Sequence, residues 1–245
     1  MRTKLDRFGL EIEGEFSDKL LEKLQEVGII KSDNSVYSCR GGLHTNLSCA
    51  EFNSRPYEIT ELSTAKEEVF ALLEKYYEKK EFHFNKTCGF HIHISFRPQR
   101  PPEMLSSQFA NYFLAELKKE MGGVLKRRKD NNYCNADFID DKYIARPIDR
   151  YKAINYCALT KFKTIEFRIF PANKPKVMLY FLEFTLDRIK KFLAKPLKID
   201  FCIDADEELS EKINELEEVN VALNHESIEE INQEIKIKVA DELEI

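Results

Sequence analysis

Three short segments decide the fold: GLEIEGE at residues 9–15, GFHIHIS at 89–95 and TIEFRIF at 164–170. In each segment a charged or imidazole side chain alternates with an apolar one. A period of two is typical of a strand that buries one face and exposes the other. The sequence therefore predicts three strands of one sheet, each with an apolar face and a polar face.

The polar faces of these strands carry an unusual set of side chains. A solvated strand face usually mixes Lys, Thr and Ser with charges of both signs, whereas these faces offer carboxylates, imidazoles and one guanidinium. The residues are Glu11, Glu13, Glu15, His91, His93, Glu166 and Arg168. Because carboxylates and imidazoles bind metals and a guanidinium binds phosphate oxygens, the pattern indicates a site for metal and phosphate.

Glu11 and Glu13 lie two residues apart, so their side chains point the same way, about 6.5–7 Å apart along the strand. Two carboxylates placed in this way repel each other unless a cation neutralises them. Mg²⁺ bound together with substrate phosphates prefers such oxygen ligands. The alternative is a solvated edge strand whose acidic residues have no common task.

His91 and His93 also share a strand face, and Cys88 precedes them. Cysteine and histidine are natural zinc ligands, so a zinc site is one hypothesis. Cys88 lies an odd number of residues from both histidines, however, and would point to the opposite face of an extended strand. A structural role is the alternative for His93.

The remaining pattern predicts an α+β domain with one antiparallel sheet, helices on its apolar face and a concave functional face opposite. Helices are predicted from Ser17 to a stop at Gly28, from Ser63 to Tyr76, from Leu105 to a stop at Gly122-Gly123, and over 177–192. Residues 33–54 predict a hairpin or two short strands, and 151–159 and 163–170 predict two more strands.

Charge divides the chain into two parts. Residues 203–245 hold 15 acidic and 3 basic residues, which leaves 28 acidic and 35 basic residues in the rest. A basic body suits an anionic substrate such as a nucleotide. We expect a catalytic domain over 1–202 and an acidic, helical appendage over 203–245.

Composition also bounds the compartment and the partners. The first residues lack the apolar core of a signal peptide, and no apolar run approaches the roughly 20 residues of a membrane span. The six cysteines have no C-x-x-C spacing, so we expect reduced, mostly buried thiols in a cytoplasmic protein without membrane partners. The basic run at 126–129 has no interleaved aromatic residues, so nucleic acid is not an expected partner.

Five segments together resemble the amidoligase family of ATP-dependent carboxylate–amine ligases, which are related to glutamine synthetase and glutamate–cysteine ligase. They are FGLEIE at 8–13, CAEFNSRP at 49–56, CGFHIH at 88–93, RYKAINY at 150–156 and TIEFRIF at 164–170. The resemblance implies a curved antiparallel sheet of the glutamine-synthetase type. It also implies that ATP and two or three Mg²⁺ ions bind in the concave face.

The resemblance assigns roles by position. Metal ligands would be Glu11, Glu13, Glu51, His91 and Glu166. Catalytic residues would be Arg168, Glu166 and Glu13, with Arg168, Arg150 and Lys152 contacting the nucleotide. Asp33 would be a further ligand, and the Ser54-Arg55-Pro56 turn would shape the acceptor side.

The implied reaction joins a carboxylate donor to an amine acceptor through an acyl phosphate, made by transfer of the γ-phosphoryl group of ATP. Three alternatives stay open at this point: a non-catalytic metal- or nucleotide-binding module on the same fold, a nucleic-acid-associated protein that uses the basic body, and a zinc hydrolase.

Overall fold

One antiparallel sheet organises the part of the chain that the computed structural model describes, which is residues 3–32, 47–99, 101–128, 134 and 151–194. Its strands are β1 (Lys4–Ser17), β2 (Gly28–Ser32), β3 (Leu47–Ser54), β4 (Tyr57–Glu58), β5 (Phe82–His83), β6 (Gly89–Arg97), β7 (Ile154–Asn155) and β8 (Thr164–Pro171). The main path runs β2-β3-β1-β6-β8-β7, and β4 and β5 also pair with β1. The long strand β1 therefore lies at the centre of the sheet.

Helices flank this sheet, and most of them cover its apolar face. They are α1 (Asp18–Gln25), α2 (Leu62–Ala65), α3 (Leu72–Tyr77), α4 (Ser107–Arg128), α5 (Ala158–Phe162) and α6 (Pro175–Ala194). A π-helical segment, Lys66–Ala71, joins α2 to α3. Among the described helices, none combines the length and the apolar character needed to cross a membrane.

The predicted burial of the apolar strand faces is confirmed, although Glu13, Glu15, His91 and Glu166 on the polar faces are also buried. The apolar residues of the three segments are at most 2% exposed, and they are Leu10, Ile12, Phe90, Ile92, Ile94, Ile165, Phe167 and Ile169. The ring centroid of Phe113 in α4 lies 4.8 Å from that of Phe167 in β8. Phe181 in α6 stacks on Phe170 in β8 at 4.7 Å. The predicted α+β class, with helices on the apolar face of an antiparallel sheet, is thus confirmed.

The first helix begins as predicted and ends early. The Ser17 side chain accepts a hydrogen bond from the Leu20 backbone N–H at 3.2 Å, which caps the helix. The predicted extension to Gly28 is wrong, because α1 ends at Gln25 and Gly28 opens strand β2. A Cβ at position 28 would lie 2.3 Å from the Asn53 carbonyl oxygen, so glycine permits the close approach of β2 to β3.

Two other predicted boundaries have different outcomes. The helix predicted to end before Gly122-Gly123 does break at Met121, whose backbone is not helical (φ −135°, ψ 44°), and a second helical stretch of α4 then continues to Arg128. The strand predicted over 151–159 is reduced to Ile154–Asn155 and is followed by helix α5. The Asn155 side chain accepts a hydrogen bond from the Cys157 backbone N–H at 2.9 Å, a turn that ends the strand and starts the helix.

Several sequence predictions lie outside the described residues. These concern Asp33, Arg150, most of the hairpin predicted over 33–54, and the acidic appendage. Met1–Leu197 forms one compact unit. The four described cysteines are thiols rather than half-cystines, as expected, with Cys88 and Cys134 buried and Cys49 and Cys157 half-buried.

Candidate active site

Strand pairing brings the polar side chains of five strands into one row. Glu11 in β1 lies opposite Asn53 of β3 on one side and His91 of β6 on the other. His93 of β6 lies opposite Glu166 of β8, which in turn lies opposite Asn155 of β7. Cross-strand neighbours are close enough to interact directly. The polar segments predicted from sequence therefore meet on one face of the sheet.

Two overlapping groups of ligand atoms lie in this row. The first, called the inner cluster, consists of Glu11, Glu13 and His91, and their ligand atoms lie within 4.8 Å of one another. His91 Nδ1 lies 2.5 Å from Glu11 Oε1, and His91 Nε2 lies 3.9 Å from Glu13 Oε1. His91 is only 3% exposed and Glu13 only 9%, so both groups are largely removed from water.

The second group, called the outer cluster, consists of Glu11, His93 and Glu166. Their ligand atoms also lie within 4.8 Å of one another. Glu11 Oε2 lies 3.5 Å from His93 Nε2, so the two oxygens of Glu11 face different imidazoles. His93 Nδ1 contacts the Thr164 hydroxyl at 3.1 Å. Glu11 is therefore shared by both clusters.

The charges within the clusters support one another. Burial alone would raise the pKa of Glu11, but His91 and His93 outweigh burial and hold that pKa well below its usual range. Burial alone would lower the pKa of His91, and the Glu11 carboxylate instead raises it. Each group thus favours the charged form of the other, which lets a carboxylate remain ionised away from water.

Gly89 holds the inner cluster in place at the start of β6. Its backbone N–H donates a 2.6 Å hydrogen bond to Glu13 Oε2. A Cβ at this position would lie 2.5 Å from His91 Nε2 and 2.8 Å from Glu13 Oε2. A side chain at this position would therefore displace one or both ligands.

Glu166 is fixed from two sides. Asn155 Nδ2 donates to Glu166 Oε2 at 2.6 Å, and Arg168 Nη1 donates to Glu166 Oε1 at 2.5 Å. Glu166 is 4% exposed, whereas the Arg168 side chain is 16% exposed and lines the cleft. The carboxylate is held by its neighbours while the guanidinium remains accessible to a ligand.

The clusters form the floor of a cleft with two lobes. The acidic lobe, of about 440 Å³, is lined by Glu13, Glu51, Glu166, Arg168 and Lys161, among others. The second lobe, of about 470 Å³, is lined by Arg7, Gly9, Ser54, Ser95 and Lys163, among others. The residues common to both lobes are Glu11, Lys31, His93 and Phe162. These four form a shared wall, in which the Phe162 ring meets His93 edge-on at 6.0 Å.

The remaining predicted site residues lie at different places. Glu51 lies opposite Glu13 on β3 and lines the acidic lobe, where Lys31 Nζ and Asn53 Nδ2 bind its Oε1. It belongs to neither cluster. Lys152 is half-buried in the turn before β7 and lines neither lobe.

Cys88 and Glu15 lie outside the clusters. Cys88 is fully buried in the hydrophobic core, and burial raises the pKa of its thiol to about 12. Among the described residues Cys88 belongs to neither group of candidate metal ligands, so the geometry does not support the zinc hypothesis that used it as a ligand. Glu15 is buried farther along β1, opposite Cys49 and His83.

Sequence reasoning missed four contributors to this site. His93 was predicted without a task, yet its ring nitrogen belongs to the outer cluster. Asn155, Lys161 and Phe162 fell in a stretch predicted partly as strand. The signal was present in Ala158-Leu159, two strong helix formers that begin three residues after Asn155, an asparagine suited to a turn.

Comparison with known proteins identifies a family. A family model described as "putative amidoligase enzyme" matches residues 15–150, more than half of the chain. No curated protein matches the chain at a significant level. The matched range contains Glu51, His91 and His93, and the fold brings Glu11 and Glu166 from outside that range to the same site. The chain belongs to the amidoligase family.

Proposed function

We propose that the protein is an ATP-dependent carboxylate–amine ligase that forms an amide bond through an acyl phosphate, with Mg²⁺ held by strand carboxylates. One observation carries the proposal: in an amidoligase chain, three buried or nearly buried carboxylates converge with two imidazoles and Arg168 on one sheet face. A curved sheet of the glutamine-synthetase type belongs to the same proposal.

The donor atoms suit divalent cations. Each cluster offers two carboxylates and one imidazole within 4.8 Å, a mixed oxygen and nitrogen set that binds Mg²⁺, Mn²⁺ or Zn²⁺. Glu11, Glu13 and His91 would hold one ion, and Glu11, His93 and Glu166 a second. Ions bound there would neutralise phosphate oxygens and keep the γ-phosphoryl group in line for transfer.

Arg168 and Lys161 supply the positive charge of the acidic lobe. Arg168 donates one N–H to Glu166, and its guanidinium has further donors for the oxygens of a transferring phosphoryl group. Lys161 makes no ion pair with any described residue and lies over the Phe162 ring, 4.9 Å from its centroid. Both cations fit the binding of nucleotide phosphates in this lobe.

The reaction needs no nucleophile from the protein. A carboxylate oxygen of the donor attacks the γ-phosphorus, the bond to the β–γ bridging oxygen breaks, and ADP leaves. The amine then attacks the acyl carbon, loses a proton, and expels phosphate. The chain contributes position and electrostatic stabilisation, which supply most of the catalysis in phosphoryl transfer.

The test is a turnover assay with Mg-ATP and pooled carboxylates and amines. We expect ADP together with a product lighter than its two parents by one water, detected by mass spectrometry. Glu13→Gln and Glu166→Gln should each lower turnover about 10²–10³-fold, because each removes one charge from the phosphoryl-transfer site. Glu183→Gln is the matched control, since Glu183 pairs with Lys66 on the helical side of the sheet.

The ligase proposal would be refuted if no acceptor gave ADP and if Glu166→Gln left the ATP affinity unchanged. One imidazole in each cluster favours a zinc-dependent hydrolase as the second candidate. Metal analysis separates the two, because one tightly held zinc per purified chain favours the hydrolase.

A further inference from the structure

Among the described residues that line the second lobe, one cation has no ion-pair partner within the described part of the chain. Four of its charged lining groups have opposite charges nearby: Asp6 with Arg97, Arg7 with Glu58, Lys31 with Glu51, and Glu11 with the imidazoles. Lys163 makes no ion pair with any described residue, and its ammonium has only the Thr160 carbonyl at 3.5 Å. The lobe therefore carries a surplus positive charge at Lys163.

Lys163 occupies a backbone position that favours glycine. It ends α5 in the left-handed region (φ 60°, ψ 30°), and its N–H bonds the Leu159 carbonyl at 3.1 Å. Lys80 has the same conformation (φ 57°) after α3 and lines neither lobe. Conformation alone does not mark a site, so what distinguishes Lys163 is its place in the cleft.

The neighbours of Lys163 connect it to the clusters. Phe162 belongs to the shared wall, and the Thr164 hydroxyl contacts His93 Nδ1 at 3.1 Å. The turn thus presents Lys161 to the acidic lobe and Lys163 to the second lobe, with Phe162 between them. A ligand held by Lys163 in the second lobe would lie beside the shared wall, which contains Glu11 and His93 of the outer cluster.

We propose that the second lobe binds a substrate of the ligation, and that Lys163 binds an anionic group which this substrate carries in addition to the group that reacts. The inference rests on the proposed function and deepens it. A cavity of about 470 Å³ accommodates a small metabolite rather than a macromolecule. The anionic group can belong to the carboxylate donor or to the amine acceptor, and the experiment distinguishes these sources.

The donor arm uses Mg-ATP and hydroxylamine, which traps the activated acid as a hydroxamate with release of ADP and phosphate. Matched pairs of acids differ in one charge: succinate against succinamate, and glutarate against glutaramate. The acceptor arm compares amino acids with their amides as the amine. We expect the more anionic member to have a KM at least about tenfold lower in one arm, since a charge-assisted contact is lost in the other member.

The variants assign that preference to Lys163. Lys163→Gly and Lys163→Gln should raise the KM for the anionic substrate about tenfold or more, leave kcat and the KM for ATP unchanged, and abolish the preference. Lys163→Arg should retain it. Lys80→Gly is the matched control for the backbone, because both glycine variants should raise Tm by about 2–4 °C while only Lys163→Gly affects KM.

Failure of the proposed function gives a different result from failure of this inference. Without ADP or hydroxamate from any acid, the ligase proposal fails, and ligand-observed NMR with the same paired acids and amines then decides the role of Lys163. Tighter binding of the anionic members, lost in Lys163→Gly, supports the inference. Any of three results would overturn the inference. The members of each pair bind equally, no panel member binds at 10 mM (roughly the weakest range of specific affinity), or the Lys163→Gly variant binds them as wild type does.

Discussion

Glu11 belongs to both clusters, with one oxygen 2.5 Å from His91 and the other 3.5 Å from His93. Its neighbours Glu13 and Glu166 each belong to one cluster only. Loss of Glu11 should therefore disturb the whole site, whereas loss of either neighbour should disturb one half.

Gly89 gives a prediction about space rather than charge. Gly89→Ala should lower the affinity for a divalent ion at least about tenfold, because its Cβ would meet His91 Nε2 and Glu13 Oε2 well inside van der Waals distance. Isothermal titration with Mn²⁺ measures the change. Gly122→Ala is the control, since a Cβ there has open space, and unchanged affinity in Gly89→Ala would contradict the geometry of the inner cluster.

Single residues also mark the limit of sequence reasoning. Alternation placed Glu11, His91 and Glu166 on polar strand faces, because side-chain direction on a strand follows from a period of two. It could not assign His93, since the choice of ligand depends on the cross-strand register that sets His93 beside Glu166. Register is fixed by tertiary pairing and is not visible in one strand.

At the element scale, strands β1, β6 and β8 were predictable and their connections were less so. Long alternating segments specify both faces of a strand, whereas a glycine is compatible with a helix end, a strand start or a position inside a helix. Gly28 looked like a helix stop and instead opens β2, and Gly122-Gly123 follows a kink within α4. The outcome at Gly28 depends on its contact with Asn53 in β3, which is distant in sequence.

Packing of α4 on β8 predicts a large loss of stability in one variant. Phe167 is fully buried, with Phe109 and Phe113 centroids at 6.2 and 4.8 Å. Phe167→Ala should lower the free energy of unfolding by about 3–5 kcal/mol, measured by urea denaturation. Phe162→Ala, at an exposed phenylalanine, is the matched comparison and should cost about 1 kcal/mol or less. Similar losses in the two variants would contradict the described core.

A second element-scale prediction concerns pH. Arg55 lies between Glu68 of the π-helical segment and the Tyr57 ring, and the Tyr57 hydroxyl donates to Glu68 at 2.9 Å. The hydrogen bond from Arg55 outweighs burial and lowers the pKa of Glu68. A lowered folded pKa stabilises the fold above the unfolded value near about 4.3, and the effect disappears as pH falls through the folded value.

Glu68→Gln should therefore destabilise the protein by about 0.5–1 kcal/mol at pH 7, because this pair is partly exposed. The difference from wild type should shrink as the pH falls below about 4. Urea denaturation at pH 7 and pH 3 measures both quantities. A difference that stays constant or grows on acidification would show that the carboxylate is not stabilised in this way.

At the scale of the whole molecule, the described hydrophobic core lies entirely between Phe8 and Phe192. A chain ending at residue 202 should therefore unfold cooperatively and keep its turnover within about threefold of the full chain, which corresponds to about 0.7 kcal/mol. Thermal unfolding and the ADP assay check this expectation. Loss of folding or of activity would mean that the acidic residues 203–245 belong to the catalytic domain.

The central claim is that two ions share Glu11, and Mn²⁺ binding in the presence of a non-hydrolysable ATP analogue tests it most directly. Electron paramagnetic resonance should detect two Mn²⁺ per chain whose spins are coupled, because the two clusters have a common carboxylate. Glu11→Gln should lose both ions, whereas Glu13→Gln and Glu166→Gln should each retain one. Binding of no ion, or equal Mn²⁺ binding by Glu11→Gln and wild type, would contradict the account.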